Sequence, residues 1–348
     1  MDLLRRPADR ARIFRPRVLF PGRVADARPG GASSAGSPVG RMIRDVIRPV
    51  RLQPGDVVRV IAPSGPVFAD AFAAGAAVLS ARYQLRYDPT TLYASDGFLA
   101  GSDVQRLSCL LQALHDREAR AVFMARGGHG LLRIASRLDP DLLRNHPKPM
   151  VGFSDGTILL ALAAQAGVAA IHGPVVTQLG RLPDEDHSAL FALLESAEPG
   201  PLLTGLEAVC PGSASGALLG GNLEVFSRLI GTPLMPDLDG AILLLEEVGE
   251  RPYRIDRLLT HLELAGVFAS VAGVVVGDLV SCEEPAGSRV ASPSAIAVVR
   301  ERLGRLGIPV ALGAHVGHGT RNRALPFGVR VSLDAQAGTL VALEAAVS

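Results

Sequence analysis

The chain has 348 residues, enough for two domains, and its 48% apolar content can fill a sizeable core. A net charge of +1, no Trp and 4% aromatic residues give no basis for a nucleic-acid surface or a single-strand stacking platform. Cys109, Cys210 and Cys282 lie far from any metal or redox spacing, their odd number suits a reducing compartment, and no stretch approaches the ~18 uninterrupted apolar residues of a membrane span.

Residues 1–51 hold twelve arginines and four aspartates among many Pro, Gly and Ser. Without sustained periodicity, residues 1–50 read as a disordered basic extension. No apolar segment follows the early arginines, so no secretory signal is expected. Order is expected from about Arg51. Val57–Ala62 is a β-rich run, 68–81 is Ala-rich and helical, and Gln84–Tyr87 is a short strand. Ser102 is placed to cap a helix reaching about His115. Ala121–Ala125 reads as a buried strand running into Arg126-Gly127-Gly128-His129-Gly130, and a helix follows from Leu131 to about Leu138. Met150–Phe153 is a strand that stops at Ser154, a helix runs to about Ala166, and Ala169–His172 is a further strand. Alternating strand and helix predicts an α/β fold, with a parallel, flavodoxin- or Rossmann-like N-terminal sheet covered on both faces. Ligands in such folds sit beyond the carboxyl ends of strands, where both the Gly-rich loop and Ser154 lie.

Residues 178–212, with Pro183, Pro199, Pro201 and Pro211, read as a connection between an N-terminal domain (51–177) and a smaller C-terminal one (213–348) with mixed β structure. There, Asn222 opens a helix to about Ile230, Ala241–Val248 and Val271–Leu279 are strands, and Tyr253–Leu264 is an amphipathic helix. A helix over 292–306 is capped by Ser292. Val310–Ala314 is a strand, and Val329–Leu333 with Leu340–Leu343 suggests a hairpin around Ala337-Gly338.

A strand, a tight turn and a new helix are the setting in which a chain presents a nucleophile. Gly152, Ser154 and Gly156 fit the Gly-x-Ser-x-Gly spacing. The same serine could simply cap the helix. A serine needs a base, and the base needs orienting. His318 stands out in Gly317-His318-Gly319; His315, His172 and His129 are its rivals. Glu246 and Glu247 end an apolar strand, and alternation sends them to opposite faces, so one faces the site. Gly127, Gly128 and Gly130 form a turn able to hold an oxyanion or phosphate, although no Gly-Lys-Ser/Thr makes it a P-loop. Lys148 is the only lysine, which weighs against Schiff-base or Ser-Lys chemistry.

Seven motifs in order resemble the serine LD-carboxypeptidases, including relatives that confer self-immunity to microcin C. They are Leu52-Gln53-Pro54-Gly55-Asp56, Phe98-Leu99-Ala100-Gly101-Ser102-Asp103, Ala125-Arg126-Gly127-Gly128, Val151-Gly152-Phe153-Ser154-Asp155, Gly220-Gly221-Asn222-Leu223, Leu244-Leu245-Glu246-Glu247-Val248 and Gly317-His318-Gly319 with Asn322. The resemblance spans about Leu52 to Leu343. It implies Ser154 as nucleophile, His318 as general base and acid, Glu246 as orienter, and the amides of Gly128 and Asp155 as an oxyanion hole. It implies no cofactor and no metal, a muropeptide substrate, release of D-alanine from murein tetrapeptides during cytoplasmic wall recycling, and a homodimer. It also allows hydrolysis of peptidyl-nucleotide amides, and a muropeptide-binding protein without catalysis is the reading from another class. His129, Gly156 and Glu247 stand where the family usually has tyrosine, a β-branched residue and aspartate.

Overall fold

The computed structural model describes residues 46–288 and 291–348. The expected disordered extension therefore lies outside the described residues, apart from 46–50. Some of those residues are engaged: Ile47 bridges Val168, and the Pro49 carbonyl accepts from the Ser348 amide at 2.9 Å.

The first half of the chain builds its central strands from runs buried on both sides, as parallel sheets demand, and its edge strand, Gln84–Arg86, from a more exposed run. They are β1 (Val57–Ile61), β2 (Gln84–Arg86), β3 (Ala119–Met124), β4 (Met150–Gly152) and β5 (Ala170–His172). The second half supplies β6 (Pro201–Leu203), β7 (Glu207–Cys210), β8 (Ser213–Asn222), β9 (Ile242–Val248), β10 (Gly273–Val280), β11 (Val310–Leu312), β12 (Leu325–Phe327), β13 (Arg330–Asp334) and β14 (Thr339–Ala342). Among the described residues these form a six-stranded sheet, order β12-β5-β4-β3-β1-β2, and an eight-stranded sheet, order β6-β14-β13-β8-β9-β10-β11-β7. The first is parallel except for β12, which pairs antiparallel with β5. The second is mixed: β8, β9, β10 and β11 run parallel, while β13, β14, β6 and β7 pair antiparallel.

Alternation along β3 divides its side chains between two cores. Val122 and Met124 join Leu110 and Leu114 of helix Asp103–His115 and Leu159 of helix Thr157–Gln165. Ala121 and Phe123 join Phe72 and Leu79 of helix Ala69–Ser80. The first core runs without a break into Leu219, Leu243, Leu245 and Val274 of the second half. Helix Asp103–His115 starts with the expected Ser102 cap, a full capping box with Gln105 that contributes about 1 kcal/mol.

Several local expectations need correcting. Residues 178–212 hold the helix Asp184–Glu195 and strands β6 and β7, where prolines suggested only a connection. Pro183 ends that connection: it precedes the helix, and Asp184, Glu185 and Asp186 fill a first turn whose free amides favour negative charge. The helix expected over 292–306 spans Ala295–Leu303, and its cap is Ser294, which accepts from the Ala297 amide, not Ser292.

Candidate active site

Ser154 sits just beyond the carboxyl end of β4, in a 3-10 turn Ser154–Gly156 that leads into helix Thr157–Gln165. Its φ of 62° is left-handed, a conformation that costs an L-residue about 1–2 kcal/mol. The flanking glycines have packing reasons: a Cβ on Gly152 or on Gly156 would meet Met124 Sδ at 2.7 Å. The glycine loop closes on the same turn. A Cβ on Gly127 would stand 2.9 Å from Ser154 Oγ, so only glycine lets the backbone approach the hydroxyl this closely. Gly128 follows with φ 112°, another conformation that L side chains rarely adopt.

Two buried charges hold that loop. Arg106, fully enclosed, donates through Nη1 to the Pro63 carbonyl at 2.6 Å and the Gly130 carbonyl at 2.8 Å, and its other branch pairs with Asp103. The Asp155 carboxylate accepts from the Leu131 amide at 2.9 Å, joining the serine turn to the chain just after the loop. Burial raises the affinity of Asp155 for its proton. Its side chain is thus spent on the scaffold, and its own amide is the group beside Ser154.

The second sheet delivers the partners. Glu246 and Glu247, adjacent on β9, point to opposite faces, as alternation requires. Glu246 Oε2 lies 2.7 Å from His318 Nδ1, and His318 Nε2 lies 3.1 Å from Ser154 Oγ. Glu246 is wholly buried, whereas His318 keeps some exposure. Gly317 packs directly on Glu246 Oε2, and its φ of 121° again suits glycine. Glu247 does something else. It accepts from the Glu224 amide at 2.8 Å, Asn222 Nδ2 at 3.2 Å and its neighbour Val248 at 2.7 Å, so it braces the start of helix Leu223–Ser227. Burial pushes its pKa up to about 7.

Of the rival histidines, His315 is exposed, and His129 is exposed with its ring tilted against Phe98 at 5.6 Å. His172 ends β5, is completely buried, and lies edge-on to Phe153, whose ring also touches His318.

Sequence reasoning missed the clamp on the His318 loop. Asn322, fully buried, accepts from the Gly317 amide at 2.9 Å and donates to Gln178 Oε1 at 2.7 Å; Gln178 Nε2 returns to the Gly317 carbonyl at 2.9 Å. Asp186, also fully buried, takes Arg321 Nε and Nη2 at 2.9 Å each and the Asn322 amide at 3.0 Å. The acidic first turn after Pro183 was the available signal for this carboxylate; of its partners, Asn322 closed the ordered motifs, but nothing local tied it to Asp186. A second tie joins the halves: Thr157 Oγ1 accepts from the Asn222 amide at 3.1 Å, and a Cβ on Gly221 would collide with it at 2.5 Å.

A serine hydroxyl, an imidazole and a buried carboxylate in hydrogen-bonded series can move a proton off the hydroxyl and hold the resulting imidazolium. Among the described residues, no group of three or more His, Cys, Asp or Glu is disposed to share a metal ion, and no helix is long and apolar enough to cross a membrane.

The sequence matches the family model of the LD-carboxypeptidase N-terminal domain over residues 58–173 and that of the C-terminal domain over 215–333. This chain belongs to the LD-carboxypeptidase family. It is 34% identical to a probable murein peptide carboxypeptidase of Bacillus subtilis, across 86% of this chain and 95% of that protein. With a murein tetrapeptide carboxypeptidase of Pseudomonas aeruginosa it shares 33% identity, across 68% and 80%. The solved muramoyltetrapeptide carboxypeptidase from Oxalobacter formigenes superposes with a TM-score of 0.70 at 27% identity, covering 82% of this chain and 97% of that one. The microcin C7 self-immunity protein MccF gives 0.78 at 22% identity, covering 86% and 99%, a likeness of fold. Membership makes the protein a peptidase of the carboxypeptidase type, and its two sheets have the α/β character that the alternation of strand and helix predicted.

Proposed function

We propose that this carboxypeptidase is a serine enzyme that releases the C-terminal D-alanine of murein tetrapeptides, with Ser154, His318 and Glu246 as its catalytic residues. The observation that carries the proposal is the hydrogen-bonded series from Ser154 Oγ through the His318 ring to Glu246 Oε2. The murein names of its relatives support the substrate class.

In this mechanism Ser154 Oγ attacks the scissile carbonyl while His318 Nε2 takes its proton. Glu246 fixes the ring so that Nε2 faces the serine, and offsets the imidazolium charge. The amides of Gly128 and Asp155 receive the oxyanion of the tetrahedral intermediate. His318 then gives its proton to the departing amine, and a water activated by the same imidazole hydrolyses the acyl-enzyme. The nucleophile comes from a domain over 51–177, and the orienter and base from one over 213–348. We assign the reaction to the cytoplasm and the working form to a homodimer, which light scattering on the purified protein tests directly.

Incubation with murein tetrapeptide should release D-alanine from the wild type and only background amounts from Ser154→Ala. Equal release by both would overturn the assignment. Phe68 and Phe98, each 65% exposed and contacting Arg126 and His129 of the glycine loop, favour a second reading. They could stack a nucleobase in a peptidyl-nucleotide amide, and placing such a compound in the same substrate panel separates the two.

A further inference from the structure

The Ser154–His318–Glu246 series uses only one oxygen of Glu246. The other, Oε1, is buried and has no hydrogen-bond partner. A carboxylate enclosed in this way loses its hydration, and an unsatisfied oxygen then carries the full cost of that loss. A second orphan lies close by. His172 is completely buried, and neither Nδ1 nor Nε2 has a hydrogen-bond partner.

The fold brings these two groups into one neighbourhood. β5 pairs with β4 so that His172 stands opposite Gly152, two residues before Ser154, and β12 pairs Leu325 with it on the other side. Phe153, the residue between Gly152 and Ser154, has its ring centre 6.0 Å from that of His172 and 4.7 Å from that of His318. The charges that act on His172 are those of Glu246 and His318. Burial keeps its imidazole neutral, so one ring nitrogen donates and the other accepts. Neither orphan reaches the other within hydrogen-bond distance, and a buried water typically makes about three hydrogen bonds to enclosed polar groups of this kind.

We propose that His172 is a positioning residue, sharing one buried water with Glu246 Oε1 and so fixing the carboxylate that holds His318. The base is thereby anchored to both sheets: to β9 through Glu246, and to the first sheet through β5, next to its edge strand β12. The inference rests on the serine-hydrolase reading and adds to it a residue that never touches the substrate.

The test uses labelling of Ser154 by a fluorophosphonate, which reads serine activation whatever the natural substrate is. Wild type that fails to label overturns the serine-hydrolase reading itself. Given a labelled wild type, His172→Phe should lower the maximal inactivation rate about tenfold, the effect of one lost hydrogen bond to a charged group, with the half-saturating probe concentration unchanged. His172→Gln, which keeps a donor and an acceptor, should recover most of that rate. Equal rates for all three, equal losses in Phe and Gln, or a loss confined to half-saturation would each overturn the role of His172. A readout that needs no His172 variant is the nitrogen NMR signals of its ring: Glu246→Gln should shift them, and unchanged signals would overturn the shared water.

Discussion

Asp186→Ala tests whether helix Asp184–Glu195 serves the site or only the scaffold. The substitution removes three hydrogen bonds from a carboxylate with no exposure. The buried Asn322 amide is left without an acceptor, a cost of about 1–3 kcal/mol. Arg321, whose side chain is 35% exposed, can turn to water, so its share is screened and adds about 0–1 kcal/mol. The sum is about 1–4 kcal/mol, or a fall in Tm of roughly 1–6 °C for a chain of this size. The same loss frees Asn322, which holds Gly317 by its amide and reaches its carbonyl through Gln178. His318 then samples positions away from Ser154, and displacement on the order of 1 Å costs up to ~100-fold in rate. Differential scanning calorimetry and fluorophosphonate labelling, both run well below the variant's Tm, read the two effects separately. A lowered Tm with an unchanged labelling rate would refute the clamp as a positioning device and leave it a structural tie.

Ser154→Gly should raise Tm by about 1–2 °C while abolishing activity, because glycine relieves the left-handed backbone at the cost of some unfolded-state entropy. Ser154→Ala should give no such gain, and identical melting of the two variants would show that the turn is unstrained. His172 and Glu247 should tilt stability with pH in opposite senses. Burial pulls His172 from 6.5 down to about 4, so its contribution is lost as pH falls through that interval, where only the unfolded chain takes the proton. Burial pushes Glu247 from 4.5 up to about 7, so stability is lost as pH rises through that interval. Each slope is about 1.4 kcal/mol per pH unit, and across their overlap they offset one another. Glu247→Gln should therefore unmask the histidine: from pH 4.5 to 6.5 its urea-derived stability should climb by roughly 2–3 kcal/mol more than that of wild type. Parallel profiles would contradict the assignment.

The sequence carried what is local. Ser102, Asn222 and the Ser154 turn announce themselves through caps and glycines within a few residues, and strand alternation already sent Glu246 and Glu247 to different faces. What it did not carry depends on distant pairing. β12 is three residues long with Pro326 at its centre, a composition that argues against a strand; it survives because it lies on the edge of the sheet, where a missing amide is tolerated. The partners of Asp186 and Gln178 lie more than a hundred residues away, beyond any local period. Gly156 looked like a departure from the family pattern, yet its reason is also remote: Met124, from the neighbouring strand, occupies the space a side chain would need.

The return of β12 to the first sheet bears on the order in which a nascent chain gains its chemistry. Chains emerge N-terminus first, and their early segments begin to fold before the later ones exist. β1 to β5 and Ser154 are synthesised while residue 318 and the β12 segment are still unmade. Until they arrive, the serine has no proton acceptor and the edge of β5 has no partner. Splitting the machinery across the chain therefore makes the chemistry depend on residues synthesised after the first sheet. A product truncated before residue 318 would lack both the proton acceptor of Ser154 and the β12 partner of β5.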